Sequence, residues 1–517
     1  MNKATRKRLL GVLVILCVSL SLVSCTAAPA EDSVSVGDNE FRLSSLPELE
    51  PFEPFTEISS RYYDEYTERL IPAGNYGRLY PYPGQVVHSD WMNETRYGLC
   101  DSQGRIVLDP VCTYITIQRF DDVEIMQLSY RPTNVTEEDM SMYESIDNTA
   151  YAAVDGSWVV DDCPGYLMYA DEEVFVINGI DYDDTYMYTT NYIYNIADGT
   201  LRSQLPMSQL VDCQQGMLLL KERKADGSDG YRLADYDGET IRELDCTNAI
   251  LCGDKIVVGT ASGLWGITDM DGNYLVAPQY QSITAAETDS DDVKYFCADT
   301  TEGTTQLITA DGEIVLDIGA SANDRYPDLY YVREYGQSLA YFIDVSTGDR
   351  GPVLTDTINY IGNGWYSTSN YEDKLTIYKW GQSDPWVEIT NDAYLNAWCE
   401  LLTGTENTVA IQVSSTDDND NYRNYTMLYD LSAKSEVATI DGVYSSYIDF
   451  GEGYTFWNTN SGIYSIYDDA GHLLQNTGFT YLTKIDDDHY TVANNIYGGV
   501  IDSDGEWLIR IYLNTLD

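Results

Sequence analysis

The chain is 517 residues long and carries 84 acidic against 29 basic side chains, a formal charge of −55. A field of that sign repels nucleic acid and anionic lipid and leaves cationic partners, divalent cations or a hydrated polyanionic coat as company. With 44% hydrophobic and 12% aromatic residues the chain is too apolar to be disordered throughout, and its length suits two or three domains or one repeat array.

The N-terminus comes first in chain order. "MNKATRKR" places Lys3, Arg6, Lys7 and Arg8 ahead of the apolar run "LLGVLVILCVSLSLV". This is the layout of a secretion signal, and the run falls short of the roughly 20 residues that span a bilayer. It ends in Leu22-Val23-Ser24-Cys25, which resembles the lipobox of bacterial lipoproteins. The resemblance implies cleavage between Ser24 and Cys25, acylation of the Cys25 thiol and a lipid anchor on the extracytoplasmic face of the cell membrane. Loss of residues 1–24 with their four basic side chains would take the formal charge from −55 to −59.

Residues 25–60 follow as a flexible tether rich in Ala, Pro, Ser and Glu. Residues 61–517 form the expected body. Of the ten cysteines, Cys17 leaves with the signal and Cys25 takes lipid; the remaining eight show no CxxC pattern and read as buried thiols.

From about residue 75 the chain alternates short β-branched or aromatic runs with Asp/Asn/Gly turns, which predicts an all-β body. "YGLCDSQGRIVLDPVCTYI" (97–115) aligns without a gap on "WGITDMDGNYLVAPQYQSI" (265–283), and weaker copies of the same outline recur. The turn glycines 199, 238, 272, 312 and 348 stand 39, 34, 40 and 36 residues apart. Such a period is that of a repeat array. In each unit, apolar residues on both sides of the turn make an antiparallel hairpin. The Asp of Asp-x-x-Gly supplies an Asx hydrogen bond and the Gly a positive φ, while the Trp or Tyr before the first Gly is expected to lay its ring over bare backbone.

These units resemble WG repeats, found in many bacterial proteins including surface lipoproteins. The resemblance is carried by Trp265, Gly266, Asp269, Gly272 and Pro278, and by Tyr97, Gly98, Asp101, Gly104 and Pro110. It decays at 497–505, where the aromatic sits one place early, and at 425–440, where Ser-Ala-Lys replaces the turn Gly. About 40 residues with four short strands is the size of a propeller blade, and roughly eleven hairpin units exceed the usual 4 to 8 blades of one ring. The expected fold is therefore a repeat array of antiparallel hairpins, β-propeller-like, with two propellers or an open β-solenoid as alternatives.

Asp269-Met270-Asp271-Gly272 invites a calcium reading, but setting Gly272 sixth in an EF-hand loop puts Ile267 first and Pro278 twelfth, where carboxylates are required. It is punctuation. Looser acidic loops at 289–292 and 417–421 read as solvated faces, and no metal or cofactor is expected. His88, His472 and His489 are the only histidines, the last two read as exposed turn residues, and no catalytic triad or phosphate loop emerges. The 45 tyrosines, as in "RYYDEY" and "DDTYMYTTNYIYN", suit half-buried strand faces or a sugar- or protein-binding ridge. The sequence thus reads as a membrane-anchored, non-catalytic β-repeat scaffold for a protein partner. A glycan-binding module is the alternative, and a carboxylate-based glycoside hydrolase a remoter one.

Overall fold

The structure is a computed structural model; it describes residues 71, 74, 76–88, 93–120, 122–130, 148–161, 163, 165–182, 187–214, 216–223, 228–285, 293, 295–317, 322–326, 329–333, 340–344, 351, 358–369, 374–382, 384–390, 394–416, 422–450, 453–459 and 461–516. The expected signal, the tether and Ser24 and Cys25 lie outside them, as do the acidic loops at 289–292 and 417–421.

Strands are the only regular elements among the described residues, and they form ten sheets, most of them four-stranded antiparallel meanders in sequence order. The first sheet has seven strands because Ile106–Phe120 is long enough to serve twice. Its first half pairs with Asn93–Asp101 and its second half with Val123–Tyr130, with a register shift at Cys112/Tyr114 between them. Counting that sheet as two, eleven units follow one another, at the spacing that the turn glycines mark.

The Asp-x-x-Gly turns join the last two strands of their units. Asp269 Oδ1 accepts from the Asn273 backbone N–H at 2.8 Å while the Gly272 N–H donates to the Asp269 carbonyl at 3.0 Å. Asp101, Asp235, Asp468 and Asp502 repeat the arrangement, each accepting two backbone N–H groups. Gly104, Gly238, Gly272, Gly471 and Gly505 all have φ between +73 and +81, which a side chain disfavours. At 430–435 Lys434 takes the left-handed position itself, with φ 55, and Asp430 Oδ1 caps Ser432 and Ala433.

The glycine of the aromatic-Gly pair is there for room. A Cβ on Gly266 would stand 2.5 Å from the Val276 carbonyl, so the bulged fourth strand can cross only a bare backbone. The aromatic before it does lay its ring over bare backbone in the Trp265 unit, but that backbone is on the neighbouring strand. Trp265 lays its ring on Gly259, its cross-strand partner, rather than on its own neighbour. Over Gly98 the ring is that of Tyr82, whose hydroxyl reaches the Leu108 carbonyl at 3.1 Å.

At the junctions that follow, a sheet buries its face against the next. Leu79, Leu99 and Leu108 of unit 1 pack with Met126, Leu128 and Ala150 of unit 2. Further junctions bring Phe175 to Tyr151, Val176 to Leu210, Leu219 to Ile256, Val257 to Phe296, Leu375 to Val409 and Leu428 to Phe456. The eleventh unit then packs on the first: Tyr80, Tyr82 and Cys100 share a core with Ile485, Val500, Ile509 and Ile511. Asn514–Leu516 adds a parallel strand to Gln85, Val86 and Val87. The array closes on itself, and closure removes the exposed ends that an open solenoid must cap.

No disulfide joins the eight cysteines of the body; seven are buried and Cys246 is half-buried. Burial pushes the Cys112 and Cys399 thiols up to about 12.

Candidate functional site

From the third unit on, the first strand of a unit is a sheet edge, and first strands meet each other across junctions: Ser208–Gln214 touches Asn248–Cys252, and Val443–Phe450 touches Tyr481–Lys484. Two hydrogen bonds make one such contact explicit. The Leu251 N–H donates to Asp212 Oδ2 at 3.2 Å, and the Gly253 N–H to Gln214 Oε1 at 2.9 Å. Burial raises the Asp212 carboxyl above its usual range, against the pull of the Cys213 and Leu251 N–H groups. The first strands therefore form the inner wall of the closed array.

Alternation along these strands decides what the wall presents. Leu167, Leu210 and Ala249 point into the sheet packing, while their neighbours Met168, Val211 and Ile250 are exposed. Tyr166, Tyr114 and Tyr481 are exposed on the same class of strand, Tyr166 at 71%. Period-2 alternation should put polar residues at such positions if they met only water. Here, in a chain of extreme acidity, they are apolar or aromatic.

Where unit 11 meets units 1 and 2, the wall opens into a pocket of about 180 Å³. Tyr97, Thr116 and Arg119 contribute from the first two units, and Tyr481, Thr483, Lys484 and Thr491 from the last; Ile115 and Ile117 supply an apolar side. The rings of Tyr97 and Tyr481 stand 6.5 Å apart at 54°. Desolvation, then the neighbouring Tyr481, holds the Tyr97 hydroxyl well above its ordinary range, so it stays a proton donor. Among the described residues no carboxylate lines the pocket, and none of them forms the facing acid pair of a glycoside hydrolase there.

Beside the pocket, an ion-pair network clasps the closure. Arg78 Nη1 reaches Glu124 Oε2 at 2.6 Å and its Nε reaches Asp486 Oδ2 at 3.0 Å. Arg119 Nε reaches Glu124 Oε1 at 2.9 Å, and a second Arg119 nitrogen donates to the Ile485 carbonyl. The Thr491 hydroxyl donates to the Pro81 carbonyl at 2.8 Å. Burial alone would raise the Glu124 and Asp486 carboxyls; for Glu124 the arginines, and for Asp486 the His489 bond, a backbone N–H and the His489 and Arg78 charges, outweigh it and hold both below the usual range. His489, expected as an exposed turn residue, is half-buried at the start of a strand, 2.9 Å from Asp486 and tilted at 40° against the Tyr80 ring, 4.4 Å between centroids. Its strand position follows from the Asx turn at Asp486, which captures the His489 N–H and starts the strand there. His472 is exposed beside its turn, bonded to Asp468, and the His88 side chain lies outside the description.

The sequence-singled residues fall into two classes. Tyr97 lines the pocket and Trp265 packs at a sheet interface, whereas Gly98, Gly266, Asp101, Asp269, Gly104 and Gly272 serve strand crossing and turns. Pro110 is buried against Gly84, and Pro278 is half-buried beside the Gly266 crossing. Arg119, Lys484, Thr483 and Thr491 carry no motif in the sequence. Arg119 and Lys484 offer one signal, a cation in an acidic chain, and the two threonines offer none.

The fold is an all-β, propeller-like closed repeat array with a pocket at its seam. No protein-family model and no curated protein matches the chain. Among solved structures it is similar to BamB from Moraxella catarrhalis (12% identity, TM-score 0.30, 57% of this chain and 92% of that one). It is also similar to the computationally designed Ika8 protein (11%, 0.25, 67% and 95%) and to Kluyveromyces lactis Hsv2 (8%, 0.27, 52% and 93%).

Proposed function

We propose that this chain is a WG-like repeat lipoprotein of a bacterial envelope, acylated at Cys25, whose body is a non-catalytic scaffold for a protein partner. The observation that supports the scaffold role is the inner wall, where Tyr166, Met168, Val211 and Ile250 stand exposed on three successive first strands. Aromatic and Met side chains of this kind are what protein interfaces concentrate at their anchors. The anchor is tested by metabolic labelling with an alkyne palmitate. Label on the wild type and none on Cys25→Ser is expected; equal label on both overturns it. The scaffold role is tested by a photo-crosslinker at residue 168 in the full chain. A discrete protein adduct, lost in the Tyr166→Glu/Val211→Glu variant, is expected, and adducts that persist unchanged in that variant would refute it.

A second reading, glycan binding, is supported by the seam pocket, with its tyrosine rings and threonine hydroxyls.

A further inference from the structure

The pocket at the ring closure has a chemistry unlike the rest of the surface. With 84 acidic residues against 29 basic, a random wall of this chain should carry carboxylates. Among the described residues this one carries Arg119 and Lys484 and no Asp or Glu. Arg119 is held by Glu124 and the Ile485 carbonyl, so its planar guanidinium is fixed before any ligand arrives. The only ion-pair partner described for Lys484 is Asp487 at 3.3 Å, whose side chain is fully exposed. Such a surface pair is weak, and it leaves the ammonium ready for a better anion.

The remaining wall is that of a site for a ring with hydroxyls. The Thr491 hydroxyl spends its proton on the Pro81 carbonyl and keeps its oxygen as an acceptor, with Thr116 and Thr483 adjacent to the same space. Tyr481, 39% exposed, and Tyr97 set two faces at 54°, a corner against which the apolar C–H face of a sugar can pack. A volume of about 180 Å³ is below the roughly 300–1,000 Å³ of drug-sized sites and admits one small ring.

We propose that this pocket takes a sugar acid, one monosaccharide-sized ring whose carboxylate pairs with Arg119 and Lys484 and whose hydroxyls meet the threonines, either free or as the end residue of a chain. A simple inorganic anion would leave the tyrosine corner and Ile115 and Ile117 unused. The inference rests on the glycan reading of the seam and is independent of the scaffold role of the inner wall.

The test is titration calorimetry on the full-length chain in detergent, with glucuronate, a glucuronate-terminated disaccharide, glucose and acetate as probes. Glucuronate is expected to bind at least ~10-fold tighter than glucose and than acetate, because a hydrogen bond to a charged group is worth roughly ten-fold or more in affinity. Lys484→Gln should weaken glucuronate ~10-fold and leave the weak glucose binding unchanged. Thr483→Val should weaken glucuronate and not acetate. Both substitutions sit at partly exposed positions, so melting temperature is expected to stay with the wild type and vouches for the fold. Tighter binding of the disaccharide identifies a chain end as the source; exclusion of the disaccharide with retention of glucuronate identifies the free acid. Glucose equal to glucuronate overturns the acid specificity and keeps the glycan reading. Acetate equal to glucuronate, or no heat from any sugar, overturns both.

Discussion

Replacing Gly266 by Ala puts the reasoning about the repeat under its sharpest test. The added Cβ would stand 2.5 Å from the Val276 carbonyl oxygen, 3.0 Å from the Pro278 nitrogen and 3.2 Å from the Ala277 carbonyl carbon. All three are backbone atoms of the crossing strand Tyr274–Tyr280, and none can rotate away. Relief requires moving that strand by several tenths of an ångström, which pulls Val276 out of the core it shares with Ile267, Phe296 and Ile308. Overpacking of a close-packed core costs about 1–3 kcal/mol, and a backbone clash belongs at the upper end. Gly263 in the same unit is the control. Its φ is +79 and nothing lies within 4 Å of its Cβ, so Gly263→Ala should cost only the left-handed backbone term of about 1–2 kcal/mol. Because a repeat array need not unfold in one step, the readout is native-state hydrogen exchange of the strands in residues 248–280, with urea unfolding beside it. Gly266→Ala within ~0.5 kcal/mol of wild type, or Gly263→Ala costing more, would refute the argument that this glycine is selected for space.

Further outcomes follow from the turns, the clasp and the thiols. Asp101 is 1% exposed and caps both Gln103 and Arg105, so Asp101→Ala should cost about 1–3 kcal/mol in urea unfolding; a loss comparable to that of an exposed surface residue would contradict its role. Glu124 and Asp486 have folded pKa values depressed below their unfolded ones. Their contribution to stability is therefore present above the unfolded carboxylate range near pH 4 and is lost as pH falls through the lower folded values. Melting temperature should fall on acidification below about pH 4, and the acid limb should be shallower in Glu124→Gln; superimposable limbs would exclude the clasp from ring closure. Ellman's reagent at neutral pH should label half-buried Cys246 first, while Cys112 and Cys399, buried with thiols pushed up to about 12, react only on unfolding. Simultaneous labelling of the native protein would mean that these cores open readily.

The turns were legible because their chemistry is local. An Asp two residues before its N–H donor and a Gly at the left-handed position specify a turn without reference to the rest of the chain, and the spacing of those glycines matches the unit length. The alternation of buried and exposed residues in strands such as Ser208–Gln214 was legible for the same reason. The aromatic before the glycine was only half legible. A Trp is apolar wherever it sits, but that Trp265 covers Gly259 depends on the register of two strands, which sequence spacing does not fix.

The sequence by itself determined an all-β repeat, the unit length and the turns, since each rests on residues within one unit. Only the tertiary structure decided that the array closes, that Arg78 and Arg119 meet Glu124, Asp486 and the Ile485 carbonyl there, and that Tyr97 and Tyr481 share a pocket. The partners from the last unit, Asp486, the Ile485 carbonyl and Tyr481, lie hundreds of residues from those of the first two, Arg119 and Ile485 by 366, and nothing local encodes their meeting. What brings them together is the burial of sheet faces where units meet, and the last unit finds the first because both would otherwise leave an apolar face in water.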